Sequence, residues 1–233
     1  MTVIPLDEKG RNVAYRRAAS TPKFLRHVVH GGVSVAAVCR PGAEAATCPV
    51  RQLQQRLAQA RVQYFADLQG NRGAAEQARA SFATLAKDFP ENPVVDAYSG
   101  SLELLEAART WAIWDKRRLA NDGLARMDQA VNRAPDDIEA RFIRAASTWH
   151  LPFFYKRRDQ AASDFAYIAP RAEAAVRQGS LPPELAAAAL DYYGQVLNDR
   201  SDNHGAKQAF EAAVRIDETS PGGRDAQKRL RSE

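Results

Sequence analysis

The sequence predicts an all-helical protein assembled from consecutive helical hairpins, and three observations carry that expectation. Ala, Leu, Arg, Gln and Glu, the strongest helix formers, dominate the chain from about residue 50 onward. Apolar and small residues recur there at three- and four-residue spacing, while Gly and Pro cluster in the gaps. Beyond residue 60 no run of Val, Ile and Thr alternates with period two, so no sheet is expected.

Arg51–Leu68 and Ala74–Asp88 form the first expected hairpin, joined at Gly70-Asn71-Arg72-Gly73 and stopped by Phe89-Pro90-Glu91-Asn92-Pro93. Val94–Ala108 and Asp122–Arg133 form the second, closed by Ala134-Pro135-Asp136-Asp137. Ile138–Thr148 and Asp159–Gln178 form the third, ended by Gly179-Ser180-Leu181-Pro182-Pro183. Glu184–Leu197 and Gly205–Asp217 form the fourth, before Ser220-Pro221-Gly222-Gly223. The chain therefore divides into a basic leader (1–45), a helical body (46–220) and a short charged tail (221–233).

Small residues and an aromatic recur at fixed offsets in these hairpins. In the fourth, Leu190, Tyr193, Gly194 and Leu197 precede Ala206, Phe210 and Ala213, with the closing proline displaced to Pro221. The first offers Ala66, Gly73, Ala78, Phe82 and Pro90. The second offers Gly100, Gly123, Met127, Ala130 and Pro135, with eleven extra residues between its helices. The third matches at Ala145, Ala161 and Phe165 once four residues are inserted. The pattern resembles the tetratricopeptide repeat (TPR), a unit of about 34 residues. The resemblance covers roughly residues 50–220 and implies a solenoid of about four antiparallel hairpins serving as a protein–protein interaction scaffold, not an enzyme. Small residues at the Gly and Ala positions would let helices approach, and the aromatic would fill the groove between them. A non-repeating helical bundle is the plainer alternative.

The formal net charge is +5 and the isoelectric point about 9.4. Residues 1–45 hold seven Lys or Arg against three acids, which leaves 26 basic and 25 acidic residues in the remainder. A nearly neutral body argues against a nucleic-acid partner. In the leader, Arg16, Arg17, Lys23 and Arg26 precede an apolar run over Val28–Val38, then Pro41-Gly42 and Ala43-Glu44-Ala45. That is the order of a secretory signal peptide, so cleavage near Ala45 and a periplasmic or otherwise exported location are expected. His30, Gly31 and Gly32 interrupt the apolar run; a disordered basic leader on a cytoplasmic protein is the alternative. Two cysteines, Cys39 and Cys48, make no disulfide framework. No stretch reaches the ~20 apolar residues that span a bilayer.

Catalytic signatures fail. The chain holds no GxGxxG, GxxxxGK[ST] or G-x-S-x-G, and His27, His30, His150 and His204 form no metal-binding spacing. No cofactor, metal or catalytic residue is expected. The two insertions are more informative. Trp111, Trp114, Lys116, Arg117 and Arg118 lie in the first; His150, Phe153, Phe154, Tyr155, Lys156, Arg157 and Arg158 lie in the second, after Trp149. Both join aromatics to a Lys-Arg-Arg triplet at equivalent turns, so stacking would form one exposed aromatic–basic patch. Aromatics and Arg dominate protein-binding hot spots. The bland alternative has the rings plugging the turns and the triplets forming a solvated rim.

The resemblance also implies a concave groove at Gln63, Asp67, Ala97, Ser101, Phe142, Ala146, Asp191, Gln195 and Asn198. None is basic, which suits a helix or an extended peptide rather than a terminal carboxylate. The expected function is a protein–protein adaptor of the bacterial cell envelope with a protein or peptide partner. The rival is an RNA- or anionic-membrane-surface binder using the two triplets.

Overall fold

A computed structural model describes residues 49–232, so the leader, its cleavage near Ala45, Cys39 and Cys48 lie outside the described residues. Helices and the turns between them account for those residues, and none forms a strand. The helices are α1 (Pro49–Leu68), α2 (Arg72–Asp88), α3 (Pro93–Arg109), α4 (Ile113–Arg133), α5 (Ile138–Thr148), α6 (Arg158–Ile168), α7 (Ala172–Gln178), α8 (Pro183–Asp199), α9 (Asn203–Asp217) and α10 (Pro221–Ser232). Two short 3₁₀ turns, Phe153–Tyr155 and Ala169–Arg171, flank α6.

Local chemistry sets many of these boundaries. Asn71, Asn92, Asp137 and Asp202 cap α2, α3, α5 and α9 by accepting backbone N–H bonds with their side chains. Gly70 (φ 91°) and Gly179 (φ 70°) end α1 and α7 in the left-handed conformation that glycine adopts without cost. Ser201 closes α8 in the same way at φ 62°, where a Cβ is strained.

Most helices pack on a sequence neighbour. The pairs α1–α2, α3–α4, α5–α6 and α8–α9 form hairpins, and successive hairpins touch through α2–α3, α3–α5 and α6–α8. Glycines sit where backbones come closest: a Cβ at Gly100 would lie 2.6 Å from the Gly123 carbonyl oxygen. A Cβ at Gly194 would enter the Phe210 ring. Ala78, Phe82, Ala130, Ala145, Ala161, Phe165, Ala206, Phe210 and Ala213 are all buried, whereas Ala66 is only half-buried near the end of α1.

Three expectations are corrected. The eleven extra residues of the second hairpin are mostly helix: α4 begins at Ile113, and only Thr110–Ala112 turn. The expected helix over 159–178 breaks at Ala169–Arg171, because Pro170 has no N–H to donate and its ring clashes with the preceding turn. Residues 221–232 are not a tail but helix α10, which packs on α8 and α9; Gly222 lets its backbone meet Ala188.

Charged side chains tie hairpin to hairpin. Glu139 is 3 % exposed and accepts both nitrogens of Arg61 at 2.7 and 2.6 Å and the Tyr98 hydroxyl at 3.0 Å, so α1, α3 and α5 meet at one carboxylate. Burial works against the Arg61 charge, but Glu139 more than offsets it and holds the guanidinium protonated. Arg109 grips Asp67 at 2.9 and 2.6 Å. Asp164 accepts from Arg141 at 2.6 Å and twice from Arg144 at 2.8 Å. On α8, Asp191 accepts from Arg229 at 3.0 Å and from Gln195 at 2.9 Å, which fastens α10.

Two outcomes follow from this packing. Gly194→Ala should lower stability by about 1–3 kcal/mol in urea or thermal unfolding, because its methyl displaces the Phe210 ring. Burial lifts Asp191 from 3.8 to about 6 despite the pull of Arg229, so the folded state holds this proton more tightly than the unfolded chain. The stabilisation is fully present below pH ~4 and is lost as pH rises through about 6, a contribution on the order of 3 kcal/mol. Asp191→Asn should therefore flatten the pH dependence of the melting temperature between pH 4 and 7. An unchanged slope would remove Asp191 from that account.

Candidate functional site

The four hairpin turns lie along one edge of the molecule, and side chains link each to the next. Arg109 beside the second turn holds Asp67 beside the first. Leu151 and Tyr155 of the third turn pack against a core of Leu104, Ala107, Ala120, Leu124 and Met127 at the second. Arg158 of the third turn bonds Asp199 beside the fourth, and the His150 ring lies 6.1 Å from Tyr192. Leu151 and Tyr155 therefore pack on the same small core that Leu119 and Ala120 of the first insertion join.

At the second turn the rings point outward. Trp111 is 94 %, Ile113 67 % and Trp114 81 % exposed. Ile113 stands one heptad before Ala120 on the stripe that α4 buries farther along, yet no described residue buries it. Among the described residues neither tryptophan pairs with another ring. Ala112, at the start of α4, offers no side-chain cap, and Asp115 is the acid of the first turn.

The third turn is built differently. Trp149 is buried at 4 % exposure, edge-on to Phe165 with Arg158 stacked over its face. Pro152 leads into the 3₁₀ turn, where Phe153, Phe154 and Tyr155 form a run of rings with centroids 6.0 and 4.8 Å apart. Tyr155 is the half-buried foot of this stack; its hydroxyl is pushed up by burial, with the Arg117 charge opposing. Phe153, at 89 % exposed, is its outer end. Lys156 closes the turn at φ 52°.

Among the described residues no ring of the exposed tip pairs with a ring of the anchored stack. The arginines differ as well. Arg157 donates to Asp128 at 2.6 Å and to Gln160 at 2.8 Å within the network that includes Arg144 and Asp164. Arg158 is engaged by Asp199 and Trp149, and exposed Arg118 by Asp115 and Asp122. Lys116, Arg117 and Lys156 carry no ion pair among the described residues. The triplets look equivalent in sequence because their partners lie up to 41 residues away. Ile113 joins the tip only because α4 starts there, nine residues before Asp122, where the sequence pattern places the helix start.

Charge divides between the two edges. The turns at 69–73, 109–118, 149–159 and 198–204 carry nine Lys or Arg and four Asp or Glu. The linkers at the other edge, 87–92, 133–137, 178–184 and 217–220, carry two and seven.

The expected groove is not open along its length. Asp67, Ala97, Ser101, Phe142 and Asp191 are buried, and Tyr64, Ser101 and Ser147 are joined by hydrogen bonds of 2.7 and 2.8 Å across α1, α3 and α5. Among the described residues no group of three His, Cys, Asp or Glu could hold a metal ion, and no helix is long and apolar enough to cross a membrane. Comparison with protein-family models, curated proteins and solved structures found no match.

The unequal arginines can be separated experimentally. Arg157→Gln should cost about 1–2 kcal/mol in thermal unfolding, since it strips a half-buried network. Arg117→Gln should change stability by no more than about 0.5 kcal/mol.

Proposed function

We propose that this chain is a non-catalytic interaction scaffold of the TPR type, an adaptor whose protein partner docks at the edge formed by the hairpin turns. Close helix contacts at Gly100–Gly123 and Gly194–Phe210 support the repeat reading, and so does the order in which successive hairpins pack. A place in the cell envelope is supported by the basic–apolar–A-x-A order of the leader alone.

The observation that carries the binding role is the Phe153–Phe154–Tyr155 stack. Large rings exposed to water lose free energy unless something covers them. Here Tyr155 roots them in the core, so little side-chain entropy remains to be lost on docking. Such anchored aromatics, beside a Lys156 with no ion pair among the described residues, are what protein hot spots are made of. An RNA partner is disfavoured because Arg157 and Arg158 are already engaged and the body is nearly neutral.

Affinity capture from envelope extracts of the source cells, read by mass spectrometry, tests this. The double variant Phe153→Ala, Phe154→Ala should keep the parent's helicity and recover its main partner roughly tenfold less or worse. Recovery of the same proteins in the same amounts would remove the stack from the interface.

A further inference from the structure

We propose that the tip of the second hairpin, Trp111, Ile113 and Trp114 flanked by Lys116 and Arg117, is a docking surface for an anionic phospholipid bilayer. This goes beyond the adaptor role, uses different side chains from the ring stack, and would hold the scaffold against a membrane that no described helix crosses.

Exposure is the first argument. Three large apolar side chains within four residues stand 94, 67 and 81 % exposed at the hairpin tip, and neither Trp has a ring partner among the described residues. A folded protein would have to offer each a matching pocket. The fluid boundary between headgroups and acyl chains requires no such match, and it is where Trp side chains concentrate. Seating the tip would sink these side chains roughly 5–10 Å into that boundary.

Charge supplies the second argument. Lys116 and Arg117 have no ion pair among the described residues, and they stand beside the uncapped N-terminus of α4. The turn edge carries nine basic residues to four acidic, the opposite edge two to seven. An anionic surface therefore attracts the edge that bears the rings and repels the other. Asp115 and Asp122 flank the site, but both share Arg118. The attraction is local, since the body as a whole is nearly neutral. Apolar insertion must then supply most of the affinity.

Flotation of the full chain with vesicles of phosphatidylcholine and phosphatidylglycerol (3:1), against phosphatidylcholine alone, tests the proposal. Brominated lipids in the same vesicles would quench Trp111 and Trp114, whereas Trp149 is buried away from them. The chain should float only with the anionic vesicles, with Trp emission shifted to the blue and quenched. Trp111→Ala, Ile113→Ala, Trp114→Ala together should lower the partition coefficient on the order of a hundredfold. Lys116→Gln and Arg117→Gln should each lower it roughly fivefold. Failure to float at low salt overturns the proposal, and so does flotation without quenching. If the triple variant misfolds, quenching of the unaltered chain still decides. If the chain ignores vesicles but the triple variant captures less protein, the tip belongs to the protein interface and the adaptor reading survives alone. The reverse result, flotation intact while the Phe153/Phe154 variant captures normally, upholds the bilayer surface and removes the stack.

Discussion

The placement of the first three hairpins depends on one buried carboxylate. Glu139 has almost no contact with water, so its charge is tolerable only while Arg61 and Tyr98 surround it. Those partners lie 78 and 41 residues away, on helices of two other hairpins. Close packing at alanines and glycines allows many small slides of one helix over another. A bidentate bond to a buried charge allows very few. Asp164 fixes α5 against α6 in the same way, and Asp191 fastens α10 onto α8.

This arrangement accounts for the edge. Because polar ties hold the inner faces together, the turns project outward and are free to differ in length. The first turn is tight around Gly70, while the second and third carry large side chains beyond what packing needs. The third folds back on the core through Leu151 and Tyr155; the second does not. One insertion is therefore a braced ring stack and the other a free point, despite similar composition.

The helices, their hairpin pairing and most of the close contacts were legible in the sequence. Spacing of Ala, Gly and aromatics reports directly on which faces meet, and Gly194 with Phe210 is an instance. The break at Pro170 was equally available from the proline itself but was masked by the apolar periodicity around it. What could not be read was the fate of the charges. Arg157 and Arg117 occupy the same position in matching triplets, and only the approach of Asp128 separates them. Residues 221–232 look like a tail because they are strongly charged, yet Gly222 and Ala226 are buried and carry the contact.

The long-range tie at Glu139 also sets an order of events during folding. Most helices touch a neighbour close in sequence, so each hairpin closes over a short loop and at little entropic cost. Among the described hydrogen bonds Arg61 makes the longest reach: its carboxylate is made 78 residues later. On a chain synthesised from its N-terminus, α1 waits with an unpaired guanidinium until α5 has emerged. The first described helix thus completes its polar contacts only when α5 is in place. Until residue 139 arrives, α1 is held by packing on α2 and by the Asp67–Arg109 and Tyr64–Ser101 bonds to α3; Glu139 then adds the tie that joins all three hairpins at one carboxylate.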